Sequence, residues 1–292
     1  MTGTPSQGSQ AQLAIAATTI DNTAPGFEFV RFGLKRTDTH IEGNGIRGTR
    51  SRHSSRVKVG QTVVSGPVVM NPSPTEIDLL LPWILGGTTS GGVTAVAETL
   101  PTRVVGIKRV RKMATFSGVR VGRAVLEGSQ GQPVSLTLDL EGTSETEAAV
   151  GNWPTITFPS DNMFVFAELA MTIDGAVRHF SQFSLTIDNV LQADRFLNSL
   201  TRDKIEAQDR IVTLDLALPY DDENEDLYDI PVAGVAASLV LSDGTTTYTI
   251  DFANVKAAAV GPEIGGKSEI LLPTQFRSYF DGTDREILVT KS

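Results

Sequence analysis

Residues 261–268 (GPEIGGKS) fit G-x-x-x-x-G-K-[ST], the spacing of a loop that cradles phosphates on its backbone amides. That chemistry needs a helix to begin at once after the lysine, so that its N-terminus faces the anion. The residues that follow, EILLPTQF, have instead the look of a strand ended by Pro273. Only 24 residues remain after Ser268, too few for parallel αβ layers. A nucleotide site is not expected. The acidic run at 221–229 (DDENEDLYD) offers carboxylates to calcium, but an EF-hand loop wants glycine at its sixth position, and Asp226 stands there. A solvated acidic face is the simpler account. His40, His53 and His179 lie far apart with no cysteine to complete a zinc set. There is no G-x-S-x-G elbow, and the sequence does not distinguish carboxylate pairs such as Asp188 and Asp194 from turn residues. The residues give no sign of an enzyme and call for no cofactor or metal.

The basic run Arg47, Arg50, Arg52, Arg56 and Lys58 is the other candidate. As a nucleic-acid arm it lacks aromatic side chains to stack on bases, and the whole chain is acidic, at net −9. A contact between protein subunits fits it better. The charge is unevenly placed: residues 31–123 hold 15 Lys and Arg against 5 Asp and Glu, while the rest holds 10 against 29. Such asymmetry suits head-to-tail stacking, in which one face of a subunit meets the opposite face of the next. Two unrelated solvated surfaces would give the same count.

The elements that position these groups are strands. Phe183, Leu185 and Ile187 alternate with Ser184, Thr186 and Asp188, and Val212, Leu214, Leu216 and Leu218 alternate with Thr213 and Asp215. Between them runs a connection, 189–210, that is long for a hairpin and is expected to work at a surface. It carries Arg195, Arg202 and Lys204. Val119 and Val121 lead through a Gly-rich turn to Val134, Leu136, Leu138 and Leu140. Asp174-Gly175, Asp243-Gly244 and Asp281-Gly282 mark turns between alternating runs. One helix is predicted near 74–85: Ser73 as N-cap, Pro74 in the first turn, Glu76 at the capping-box position, and Gly86-Gly87 as the stop. Pro82 is expected to bend or shorten it.

Residues 1–45 show little periodicity and are expected to form a flexible N-terminal arm, followed by a first β domain over 46–150 and a second over 151–292. Gly, Thr and Ser at 88–101 predict a loop, and 142–162 a linker. Phe116-Ser117 matches Phe183-Ser184, and Thr137-Leu138-Asp139-Leu140 recurs as Thr213-Leu214-Asp215-Leu216. Either the chain is internally duplicated about residue 150, or two alternating hairpins are alike by necessity. The absence of cysteine suits maturation in a reducing cytoplasm, and no run approaches the ~20 apolar residues that span a bilayer.

Three phrases resemble the tail tube proteins of tailed bacteriophages: SLTIDN followed by DRIVTLDLALPY, FSGVRVGRAVLEGSQGQPVSLTLDLEG at 116–142, and ASLVLSDGTTTYTIDFANVKA at 237–257. The resemblance implies a mainly β protein, an antiparallel β-sandwich or barrel with a flanking helix, that assembles with itself into stacked rings as part of the virion tail. It implies assembly in the host cytoplasm, contact with other tail proteins, and passage of DNA without sequence-specific contact. Duplication would let three subunits close a pseudo-sixfold ring; without it six would. Arg47, Arg50, Arg52, Arg56 and Lys58, with Arg195, Arg202 and Lys204, are the expected ring-to-ring contacts, and charge reversal at Arg50 and Arg52 is expected to block polymerisation. A carbohydrate-binding or adhesin module is the alternative. It would want exposed aromatics, and the chain has 2 Trp and 4 Tyr.

Overall fold

The computed structural model describes residues 7–230, 233–257, 261–262, 264, 267, 269–283 and 285–292. Strands β1 (Gln12–Ala16), β2 (Gly26–Phe27), β3 (Arg31–Phe32), β4 (Lys35–Glu42) and β5 (Val57–Met70) precede helix α1 (Pro74–Leu85). Then come β6 (Gly86–Ser90), β7 (Val93–Val96), β8 (Arg103–Arg109), β9 (Lys112–Ser129), β10 (Ser135–Gly142) and β11 (Ser144–Ala149). The remainder holds β12 (Leu169–Ile173), β13 (Ala176–Arg178), β14 (Gln182–Asp188), β15 (Leu191–Gln192), β16 (Glu206–Ala207), β17 (Ile211–Pro219), β18 (Val235–Ser242), β19 (Thr247–Ala257), β20 (Leu271–Ser278) and β21 (Leu288–Lys291).

Among the described residues every strand ladder is antiparallel, and the fold is a β-sandwich with one flanking α-helix. The first layer runs β4–β5–β10–β9–β14–β17–β20. The second runs β13–β12–β18–β19–β21–β7–β6. The last residues of β19 pair with β20 and join the two. A smaller sheet, β2–β1–β8–β9–β11, uses the first half of β9. Beta9 can serve both sheets because Gly118 turns it with φ of 62°, a value that favours glycine. A Cβ there would meet Thr143 Oγ1 at 2.6 Å.

Alternation puts Ala124, Leu126, Leu136, Leu138, Leu185, Ile187, Leu214 and Leu216 inside the first layer, all buried. Opposite them lie Leu239, Leu241, Tyr248, Ile250 and Val289 of the second. Each such aliphatic side chain contributes about 1.5–3 kcal/mol by leaving water. Helix α1 packs at the sandwich edge through Ile77, Leu80, Trp83 and Ile84, and the fully buried Trp83 donates its indole N–H to Val119 O at 3.2 Å. Pro82 does not stop the helix, which ends at Leu85 on Gly86 in the left-handed region.

Glu76 does more than cap. Its Oε2 accepts from Ser73 N–H at 2.9 Å, and its Oε1 accepts from Glu28 N–H at 2.9 Å, which ties the N-terminal segment to the helix. Burial pushes its carboxyl upward, against the pull of the amides it accepts from. Glu76→Ala is expected to cost about 1–2 kcal/mol, the scale of a lost cap plus an unmet buried N–H. Urea unfolding with an unchanged midpoint would refute this.

The structure departs from the sequence reading in several places. Residues 12–42 are not a bare arm: Leu13 and Ala14 are fully buried, because β1 pairs with β8 some ninety residues later. The loop expected at 88–101 contains the β6–β7 hairpin, and the expected linker contains β11. Beta20 runs through Pro273 to Ser278. Pro273 faces Ala217 in the ladder with β17, and its missing N–H is harmless because among the described residues no strand pairs with β20 on the other side there. Pairings β9–β14 and β7–β21 cross residue 150.

The recurrent Thr-Leu-Asp-Leu phrase has a geometric counterpart. Strands β10, β9, β14 and β17 are neighbours, and Thr137, Val125, Thr186 and Thr213 form one row across them. A local twofold axis between Val125 and Thr186 exchanges the hairpins and carries Thr137 onto Thr213 and Leu138 onto Leu214. It does not carry Phe116 onto Phe183. Phe116 lies beyond the Gly118 turn, paired with Val105 and Glu145 in the small sheet.

Candidate assembly surfaces

The register orients the first layer. Along β14, Gln182 stands opposite Ser129 and Asp188 opposite Arg123, so those rows are about 20 Å apart. Beta10 runs from the Ser129 end toward the Arg123 end and β5 runs back, meeting Gly142 at Val64. Residues 57–63 of β5, paired with β4, therefore project past the Arg123 end as a hairpin arm. Beta17 runs the other way, and Pro219 emerges at the Ser129 end. The acidic run 221–229 follows directly. The basic arm and the acidic run thus leave opposite ends of one sheet.

Every residue of β4 is exposed, as are residues 43–59. Residues 35–58 carry seven Lys and Arg against Asp38 and Glu42. Arg47, Arg50, Arg56 and Lys58 have no side-chain partner among the described residues; Arg52 pairs with Glu42 within the arm. Arg36 and Asp38 pair at 2.8 Å, and the Arg36 hydrogen bond holds the Asp38 carboxyl below the usual range. Ile41, Ile46, Val57 and Val59 are exposed beside these cations.

The 189–210 connection is less of a free surface than its polarity suggested. Asn189 is buried, and its amide donates to Ile84 O at 3.0 Å and Val121 O at 3.1 Å. The β15–β16 pair closes the loop on itself, and Thr62 N–H donates to Leu200 O at 2.7 Å, fixing the loop to the arm's root. Arg202 is buried within its own subunit. Its side chain is 6% exposed and donates to Glu141 at 2.5 Å, Val64 O at 3.1 Å and Gly142 O at 3.2 Å. All three bonds run from Nη1 to groups of its own subunit, while its buried Nε has no partner among the described residues. Arg195 is half-buried and pairs with Asp203 at 3.4 Å. Lys204 is exposed.

At the other end, Glu225–Asp229 form a 3-10 turn. Asp221 accepts from Asn224 Nδ2 at 2.9 Å, and the buried Asn224 also donates to Pro219 O at 3.1 Å. Arg178 of β13, 4% exposed, holds Asp226 in a two-point pair at 2.9 and 2.8 Å. That hydrogen bond holds the Asp226 carboxyl below its ordinary value. Sequence reasoning missed Arg178. Its only signal was a lone arginine ending a short alternating strand. The segment is anchored at Asp226, while Asp222, Glu223 and Glu225 remain exposed.

Among the described residues no three His, Cys, Asp or Glu are grouped to hold a metal ion, and no helix is long and apolar enough to cross a membrane. Residues 263, 265, 266 and 268 of the phosphate-loop pattern lie outside the described residues.

A mainly antiparallel β fold with a flanking helix is consistent with a structural protein of tail-tube type. The chain matches the family model described as Phage tail tube protein over residues 8–278, nearly its whole length, and it belongs to that family. It is a structural component of the bacteriophage virion tail, a setting of self-assembly with other tail proteins. No curated protein matches it individually.

Proposed function

We propose that copies of this chain stack head to tail as rings around a channel through which the phage genome is delivered. The observation that carries this is the placement of the basic arm and the acidic segment at opposite ends of one sheet, since a contact between unlike ends repeats without closing on itself. Ring closure uses an open sheet edge: Leu271–Gln275 of β20 pair only with β17 among the described residues. Edges that are a hazard in a lone subunit become joints in a closed wall.

The first layer's outer face suits the channel. Glu127, Asp139, Asp188 and Asp215 stand on it with Arg123, Arg277, Arg31 and Lys35, around the row of threonines. Carboxylates and cations are interspersed on it and it forms no continuous basic track, so the DNA slides without a sequence-specific hold. Six copies per ring fit better than three. The local twofold reverses strand direction, whereas rotation about a tube axis preserves it, so the repeated hairpins are not two ring positions. Electron microscopy of the purified protein tests the whole reading. Hollow tubes with sixfold cross-sections are expected; a preparation that stays monomeric under all conditions would overturn it.

A further inference from the structure

The two layers present very different outer faces. On the second, one row reads Ala170, Val240, Thr249, Thr290 and Val93, and the next reads Thr172, Ser238, Asp251, Leu288 and Ala95. Ten consecutive outward positions across five strands include no Lys, Arg or Glu and a single carboxylate. Leu288 is exposed, and Val240 and Thr249 are half-exposed, so the described chain leaves the face open. Depletion of charge with retention of small and apolar side chains marks the core of a protein interface rather than a solvated surface.

Asp251 is the exception. It lines a hollow together with Thr172, Ser238, Phe252, Thr283 and Arg285. Its carboxyl has no side-chain partner among the described residues, and burial pushes it upward. Arg285, on the rim, is already paired with Glu98 at 2.8 Å. This face lacks apolar cover and a cation. The basic arm has the complement: Ile41, Val57 and Val59 stand exposed beside Arg56 and Lys58. Its own subunit leaves both surfaces unmatched.

We propose that the basic hairpin arm of one copy lies on the outer face of the second layer of a neighbouring copy, where Asp251 receives one of its cations. The proposal rests on the stacking reading above. It assigns different jobs to two features. The acidic segment orients the approach, since long-range charge mainly sets encounter rate and direction, and the small-residue face holds the arm once it arrives. The first layer's face is then free to line the channel.

The chain has no cysteine, so introduced thiols are unambiguous. Copies carrying only Val59→Cys are mixed with copies carrying only Val240→Cys, assembled, and treated with a thiol-specific crosslinker. Covalent dimers are expected from the mixture and not from either variant alone. Asp251→Lys is expected to lose assembly while its circular dichroism and unfolding midpoint stay those of a folded subunit. Tubes that form with no Val59–Val240 crosslink, or that link Val59→Cys copies to Glu225→Cys copies instead, would overturn this seat and leave the stacking reading standing. A failure of every version, unsubstituted protein included, to associate would remove both.

Discussion

Reversing Arg50 and Arg56 to glutamate is expected to abolish end-to-end assembly while the subunit stays folded. Both side chains are exposed and have no partner within the described subunit, so neither stabilises the monomer. The pair of substitutions lowers the charge of residues 35–58 from +5 to +1. An arm that must find an acidic end and then lie beside Asp251 loses attraction at both steps. Surface substitutions of this kind change stability by only about 0.5 kcal/mol, so the melting curve should barely move. Arg52 is the poorer choice: it already pairs with Glu42, and a glutamate there would set two carboxylates side by side and distort the arm itself. Sedimentation and electron microscopy read the outcome directly. For the wild type, raised salt should weaken assembly in the same direction, because exposed charges more than about 8–10 Å apart are screened at physiological ionic strength. Normal tubes from the double variant would show that the arm is a solvated hairpin and would leave the stacking contact to be found elsewhere.

Much of this architecture was legible because one physical signal repeats. A strand half-buried against a second layer must alternate, and the runs Phe183–Ile187, Val212–Leu218 and Leu136–Leu140 do so without a break; all three form strands of the first layer with those residues inward. Asp174-Gly175 is a hairpin turn with φ of 52° and 75°, values only such residues adopt cheaply. The helix announced both its ends. What stayed hidden depended on distant partners. Beta1, β2 and β3 are too short to show a period, and they exist because β8 and β5 offer them edges. Phe116-Ser117 looked like Phe183-Ser184, yet the positive φ at Gly118 sends Phe116 into another sheet, and nothing local distinguishes that glycine from one in an ordinary turn. The candidate surfaces were half legible. Clustered charge marked the arm and the acidic run correctly as exposed features, but only the strand directions reveal that they lie at opposite ends. Polarity misled most at 189–210, where a loop rich in charged residues holds buried Asn189 and Arg202.

Arg202 therefore supplies the second large effect, and it is an effect on stability. Arg202→Met keeps most of the side chain's volume but removes every donor. Glu141 and the carbonyls of Val64 and Gly142 then lose a shared partner at the point where β5, β10 and the 189–210 connection meet. Breaking a buried ion pair from one side costs about 3–5 kcal/mol; here Glu141 remains 30% exposed and can take up water, so about 2–3 kcal/mol is expected. Glu141→Gln, which keeps an acceptor, should cost about 1 kcal/mol or less, the net worth of one hydrogen bond. The measurement is urea unfolding of dilute, unassembled subunit, since a residue that acts only between rings would leave that curve untouched. The arm should loosen with the loop, because Thr62 reaches Leu200 across the same junction, so faster amide exchange at Thr62 is expected alongside the lowered midpoint. An unchanged midpoint together with failed assembly would return Arg202 to the role its sequence neighbourhood suggested, a contact made only when a second copy arrives.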